Sequence, residues 1–93
     1  MENYVLWNKS VPQAGMSITE LPEGIYNLNS SDISKLINLP KGFVGGRTTI
    51  LTSGIPASDE RIILLMNSKN GALYFGHQYG GGLVWKNANL TAV

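Results

Sequence analysis

The sequence contains no cysteine and only one histidine, His77. The absence of cysteine excludes disulfide bonds, thiolate metal sites and a cysteine nucleophile. The six Asp and Glu residues are scattered along the chain, so no group of them has the spacing of a metal site. We therefore expect neither a metal ion nor another cofactor.

Charge is also scarce, since charged residues make up only 14% of the 93 residues and the net charge is +1. A nucleic-acid interface needs several Lys or Arg side chains on one surface, whereas the seven basic residues here are spread along the chain. We therefore expect no nucleic-acid partner.

Long hydrophobic runs are missing as well. The longest aliphatic run covers residues 62–66, far short of the roughly 18 apolar residues that span a bilayer. The start, "MENYVLWNKS", lacks the basic and then apolar pattern of a secretory signal. We expect no membrane insertion and no secretion signal.

The length suits one domain with a single core, because 43% of the residues are hydrophobic. "YVLWN" predicts a short strand, and the Pro and Gly of "KSVPQAG" interrupt the chain after it. We expect residues 1–16 to form an N-terminal strand or linker, and residues 17–93 to form the domain.

The middle of the chain predicts a turn, a strand and a helix. Pro22 and Gly24 indicate a turn before a strand. A Ser or Asn can cap a helix from Asp32 onward, and its apolar face is given by three aliphatic side chains at i, i+3 and i+4: Ile33, Leu36 and Ile37. We expect about two helical turns, which end before Pro40 because a proline cannot continue the ladder.

The second half predicts consecutive strands. "RTTILTS" is followed by the loop "GIPASD" and then by "ERIILLMN", which is apolar on both faces and therefore predicts a central strand. Asn70-Gly71 indicates a hairpin, either a type I turn with a glycine bulge or a primed turn. "ALYFGHQY", three glycines and "LVWKN" complete the pattern. The predicted fold class is α+β: a small antiparallel β-meander of about four to five strands, with one short helix packed on the sheet.

Alternation along "ALYFGHQY" assigns its side chains to two faces of the sheet. The two predicted sets are Leu73, Phe75, His77 and Tyr79 on one face, and Ala72, Tyr74, Gly76 and Gln78 on the other.

His77 is the one side chain suited to acid–base chemistry near neutral pH. No carboxylate in the sequence is placed to orient it, and no two carboxylates form the dyad of a glycosidase. We therefore expect that the protein is not an enzyme and has no catalytic residue.

Aromatic rings and amides near the glycine turn are the remaining candidates for ligand contact, because such rings stack on sugars while amides bond hydroxyl groups. The candidate ligand-binding residues are Tyr74, His77, Gln78, Tyr79 and Trp85. Tyr79 and Trp85 flank the turn, and we expect that they approach each other across it.

Four short motifs occur in order along residues 17–87: Gly24 with Tyr26, Asn38 with Pro40, Gln78 with Tyr79, and a closing Trp85. In this order the chain resembles the knob or tower domains of phage tail fibres, receptor-binding proteins and phage-tail-like bacteriocins. The resemblance implies a mixed α/β domain on a trimeric fibre, which acts without catalysis as a spacer or as a contact with the host envelope. Residues 1–16 would then be the join to a preceding shaft.

The resemblance implies other virion proteins and a host cell-surface glycan as partners, a homotrimer as the assembly, and the virion tail or fibre as the location, after a soluble stage in the host cytoplasm. Three hypotheses for the function stay open. The first is a virion module for host attachment or spacing, and the second is a structural assembly protein of a baseplate, neck or head fibre. The third does not come from the resemblance and is a small hydrolase or lyase that acts on a cell-wall polymer.

Overall fold

The computed structural model describes residues 7–8, 10–53, 60–88 and 90–93. A 3-10 turn covers Ile18–Glu20, and the one short α-helix in this part of the chain, α1, covers Ser30–Ile33. The strands are β1 Met16–Ser17, β2 Gly24–Leu28, β3 Leu36–Ile37, β4 Thr48–Ser53, β5 Glu60–Asn67, β6 Leu73–Tyr79 and β7 Leu83–Ala88.

Five strands form one antiparallel sheet in the order β2-β4-β5-β6-β7. The four strands from β4 to β7 form a meander, and β2 adds to its free side next to β4. The eight-residue β5 lies in the middle, as its apolar composition predicts. The predicted α+β class, with a small antiparallel meander and one short helix, is confirmed.

One face of the sheet is covered and carries the core. Its buried sheet residues include Tyr26, Ile50, Ile63 and Leu65, and the segments that cover them contribute Ile18, Leu21, Ile33 and Leu36. The predicted alternation along β6 is confirmed, because Tyr74 and Gly76 are buried on this face whereas Tyr79, of the opposite set, is strongly exposed.

The helix is shorter than the sequence predicts. The Asn29 side chain caps it by accepting a hydrogen bond from the Asp32 backbone N–H at 2.8 Å, but α1 ends at Ile33. The two residues that were expected to complete its apolar face form β3 instead, which pairs in parallel with β1. The prediction of two helical turns with Ile37 on the buried face is therefore wrong, and Ile37 is 49% exposed.

The predicted hairpin between β5 and β6 is confirmed, but its turn is neither of the two types that the sequence suggested. The Gly71 backbone N–H donates to the Asn67 carbonyl at 2.9 Å, and the Asn67 N–H donates to the Ala72 carbonyl at 3.0 Å. Gly71 has a φ of 71° and Asn70 does not share this positive value. The turn is not primed, because a primed turn needs positive φ at both residues or at the first. It is also not a type I turn with a glycine bulge, which has a three-residue loop, because these two bonds enclose four residues, 68–71, and Gly71 ends the loop.

Two predicted segments fall largely outside the described residues: the strand "YVLWN" up to residue 6, and the loop "GIPASD" at residues 54–59. Of the first, Trp7 makes a single parallel bridge to Ile25. The Asn8 backbone N–H donates to the Ile25 carbonyl at 2.8 Å. This places residues 7–8 beside the β2 edge.

A buried arginine connects the sheet to the segments that pack on it, residues 16–37 outside β2, here called the covering layer. Arg61 is 3% exposed, its Nε donates to the Thr52 hydroxyl at 3.0 Å, and its Nη2 donates to the Leu21 carbonyl. Burial lowers the pKa of Arg61, and burial raises the pKa of the Tyr26 hydroxyl, which donates to the Pro22 carbonyl. Both shifts come from the cost of holding a charge away from water.

The raised pKa of Tyr26 predicts a loss of stability at alkaline pH. Above pH 10 a tyrosine in the unfolded chain loses its proton whereas buried Tyr26 keeps it, so the free energy of unfolding falls as the pH rises. Arg61 acts in the opposite direction, because its pKa is lowered on folding. Urea unfolding of the wild type and of Tyr26→Phe on both sides of pH 10 isolates the tyrosine, and an equal pH slope in both proteins would contradict its assignment.

Candidate functional site

A cleft opens at the end of the sheet where β6 and β7 meet the covering layer. It has a volume of about 430 Å³ and is lined by Thr19, Asn38, Leu39, Gln78, Leu83 and Trp85. We call it the β6–β7 cleft. It contains two of the five candidate ligand residues, Gln78 and Trp85.

Trp85 forms one wall of the cleft because its cross-strand neighbour has no side chain. It pairs with Gly76 on β6, and its ring covers that glycine so closely that an added Cβ would lie 2.7–3.0 Å from three ring atoms. The indole Nε1 donates to the Asn38 carbonyl at 2.9 Å. The ring is therefore fixed by packing below and by a hydrogen bond at its edge.

Asn38 stands opposite the indole in a left-handed backbone conformation, with a φ of 67°. Asparagine tolerates this region better than most residues with a side chain. Its Nδ2 donates to the Ser17 hydroxyl at 2.8 Å, and that hydroxyl lies 2.9 Å from the hydroxyl of Thr19. This arrangement leaves the Oδ1 of exposed Asn38 as an acceptor at the cleft.

Gln78 closes the cleft at the end of β6. Its Nε2 donates to the Gly81 carbonyl at 2.9 Å, which fixes the orientation of the amide. Its Oε1 is buried and has no hydrogen-bond partner among the described residues, and the same is true of Nη1 of Arg61. Arg61 and Gln78 are paired across β5 and β6, so an unused donor and an unused acceptor lie on facing positions.

The structure separates the other three candidate residues from the cleft. Tyr74 is buried in the core, where its ring contacts Phe43 at a centroid distance of 6.1 Å. His77 and Tyr79 lie on the opposite face of the sheet from Trp85, since they alternate with Gly76 and Gln78. The expected approach of Tyr79 and Trp85 across the glycine turn is therefore wrong.

His77 lies in apolar surroundings. Its ring stacks on Phe75 at a centroid distance of 5.6 Å, and its cross-strand neighbours are Ile62 and Val84. Its Nε2 is buried and unpaired within the described part of the chain. Across those same residues, no three His, Cys, Asp or Glu side chains are grouped so that they could hold a metal ion.

The lining of the β6–β7 cleft carries no charged side chain. It offers an indole wall, amide groups and a hydroxyl, which suit a neutral ligand with many hydroxyl groups. Sequence reasoning missed Thr19 and Asn38 as lining residues. Asn38 had a usable signal, because an asparagine next to "LP" suits a left-handed position at the end of an element, whereas Thr19 reaches the cleft only through the tertiary fold.

Two further clefts, of about 500 and 480 Å³, lie along the N-terminal segment. The larger is lined by residues 10–16 and 20–22, and the other includes Trp7, Asn27 and Asp32. Neither contains any of the five candidate ligand residues.

The uncovered face of the sheet, here called the open face, is mainly apolar. Its three inner strands carry Leu51, Ile62, Leu64, Met66, Leu73 and Phe75, and its edge strands add Ile25 and Val84. Leu51, Ile62 and Val84 are 38%, 47% and 48% exposed. A continuous apolar surface of this kind is typical of a contact with another protein.

Comparisons of the chain with family models, with curated proteins and with solved structures gave no match. A search of the described helices found none long and apolar enough to cross a membrane.

Proposed function

We propose that this chain is a non-catalytic module of a phage virion, in a tail fibre or receptor-binding protein, that attaches the particle to a host-surface glycan or spaces such an attachment. The observation that carries the proposal is the uncharged β6–β7 cleft with its fixed indole wall. The resemblance of the motif order to tail-fibre knob domains supplies the virion context.

The cleft supports glycan contact through its chemistry. A sugar ring would stack on the exposed part of the Trp85 ring, and its hydroxyl groups would bond the Oδ1 of Asn38 and the hydroxyl of Thr19. Trp85 is anchored to Asn38 by its Nε1. Because the wall is already ordered, little side-chain entropy is lost on binding.

Binding to a glycan array and to host cell-wall fragments tests the proposal. Asn38→Gly removes the amide while suiting the left-handed backbone, and we expect it to weaken binding about tenfold, equivalent to one hydrogen bond of about 1.4 kcal/mol. The matched control is Asn87→Ala, which removes an exposed amide on β7 away from the cleft lining. A folded, assembled sample that binds no envelope component would rule out recognition and leave the spacer role.

A second candidate function is a structural assembly protein of a baseplate, neck or head fibre. The open face favours it, since a broad apolar sheet surface suits a protein partner better than a sugar. Binding of purified virion proteins, with and without a charged substitution on that face, tests this candidate separately from the glycan assay.

A cell-wall hydrolase is less well supported, because His77 stacks on Phe75 between aliphatic neighbours. If the chain does degrade a wall polymer, His77→Ala should abolish turnover. Turnover by the wild type that the substitution removes would overturn the non-catalytic proposal.

A further inference from the structure

The open face is organised in rows of cross-strand partners. Its central row runs across the whole sheet through side chains that point to the same side: Trp7, Ile25, Leu51, Leu64, Phe75 and Lys86. Trp7 is 53% exposed. The row therefore begins with an accessible indole, continues through four apolar side chains and ends with a cation.

The surface is large enough for a stable interface. Five strands about 4.8 Å apart and three rows about 6.8 Å apart give roughly 480 Å² in projection. The accessible area of projecting side chains is greater than this projected area, which brings a fully covered face toward the roughly 800 Å² per partner of a standard interface.

The two charged groups that the described strands place on the open face, Glu60 and Lys86, lie at its margins and have opposite signs, so they do not select a strongly charged partner. At one corner the Thr49 hydroxyl donates to the Asn27 Oδ1 at 2.7 Å, so that acceptor already has a partner. The middle of the face, around Leu64 and Phe75, has no charge. The partner that fits is an apolar, nearly flat surface with the twist of a β-sheet. The open face has these same properties, so it is complementary to the open face of a second copy.

We propose that the open face binds the open face of a second copy of this chain, as a two-fold β-sandwich. The two-fold axis runs parallel to the strands and passes between Leu51 and Leu64. It places the central row of one copy against the central row of the other copy, in reverse order. Leu51 then meets Leu64 of the second copy, Ile25 meets Phe75 of the second copy, and Trp7 meets Lys86 of the second copy. The last contact is a cation–π pair at each end of the row.

The alternative two-fold axis, across the strands, is disfavoured. It would place Lys86 beside Lys86 of the second copy, and like charges that face each other are repulsive. The axis along the strands is also compatible with the roughly 30° crossing angle and 10 Å spacing of aligned sandwiches. The proposal does not rest on the virion context or on the glycan cleft, so a failed glycan assay leaves it intact.

Sedimentation equilibrium of the full chain, from micromolar to millimolar concentration, tests the sandwich. We expect a concentration-dependent dimer. Leu51→Lys should weaken the dimer at least about 100-fold, because it places a charge in the middle of an apolar interface. Asn87→Lys is the matched control, since it adds the same charge to an exposed position of the other face and should dimerise like the wild type.

Substitutions of Lys86 test the orientation of the two copies in the dimer. Lys86→Arg should dimerise like the wild type, whereas Lys86→Glu should weaken the dimer about tenfold because the cation over the indole is lost. Circular dichroism and the Tm confirm that each variant is folded. A wild type that stays monomeric, forms a trimer, or binds only a different protein through this face would overturn the proposal, as would a Leu51→Lys chain that dimerises normally.

Discussion

Replacing Gly76 with valine is expected to lower the free energy of unfolding by about 3 kcal/mol, the upper part of the usual range for overpacking a core. Gly76 is buried on β6, and the first added carbon would already lie 2.7 Å from the Trp85 ring. The ring cannot move freely, because its Nε1 is bound to the Asn38 carbonyl. Chemical denaturation of the two proteins measures the difference.

The matched control for this substitution is Gly81→Val. Gly81 lies in the turn after β6 with no atom near an added Cβ and without a positive φ, so we expect a change within about 0.5 kcal/mol. A double-mutant cycle with Trp85→Leu tests the cause, since a smaller side chain should make room for the valine. Strictly additive effects of Gly76→Val and Trp85→Leu would contradict the proposed clash.

The second large effect is expected for Tyr26→Ala, which should cost about 3–5 kcal/mol, as for other aromatic residues truncated in a core. Tyr26 is fully buried in β2. Its ring belongs to the cluster that joins the sheet to the covering layer, and its hydroxyl donates to the Pro22 carbonyl. A loss of this size is a large part of the 5–15 kcal/mol that stabilises a typical domain.

Two further tyrosine variants separate the contributions to this loss. Tyr26→Phe keeps the ring and removes one hydrogen bond, so it should cost about 1 kcal/mol. Tyr79→Ala removes a ring that is 79% exposed on the open face, and it should change stability by less than about 0.5 kcal/mol. If all three variants lost similar stability, burial would not be the cause.

Strands of this protein could be predicted because their signals are local. β5 has apolar residues at nearly every position, and the Asn70-Gly71 pair marks the hairpin that follows it. The end of the helix could not be predicted in the same way. Leu36 and Ile37 have helical spacing after Ile33, yet they pair with β1, some twenty positions earlier in the chain. A strand pairing between residues so far apart in the chain cannot be detected in the local pattern of apolar residues.

The sequence identified two of the residues that line the cleft, but not how the five candidate residues are arranged. Gln78 and Trp85 meet at one cleft, whereas Tyr79 lies on the other side of the sheet. The register decides this outcome: Trp85 is opposite Gly76, and the side-chain period of two then excludes Tyr79 from the same face. A turn of three glycines permits more than one register, so the sequence alone did not distinguish them.

The placement of the covering layer has a consequence for synthesis on the ribosome. The segment from Met16 to Ile37, which packs on the sheet, is translated before β4 to β7, which provide most of the surface that it covers. One turn of helix and two-residue strands have no stability of their own in water. In the nascent chain, Ile18, Leu21 and Ile33 therefore stay exposed to solvent until the later strands emerge from the ribosome. Chaperone binding would matter most during this interval.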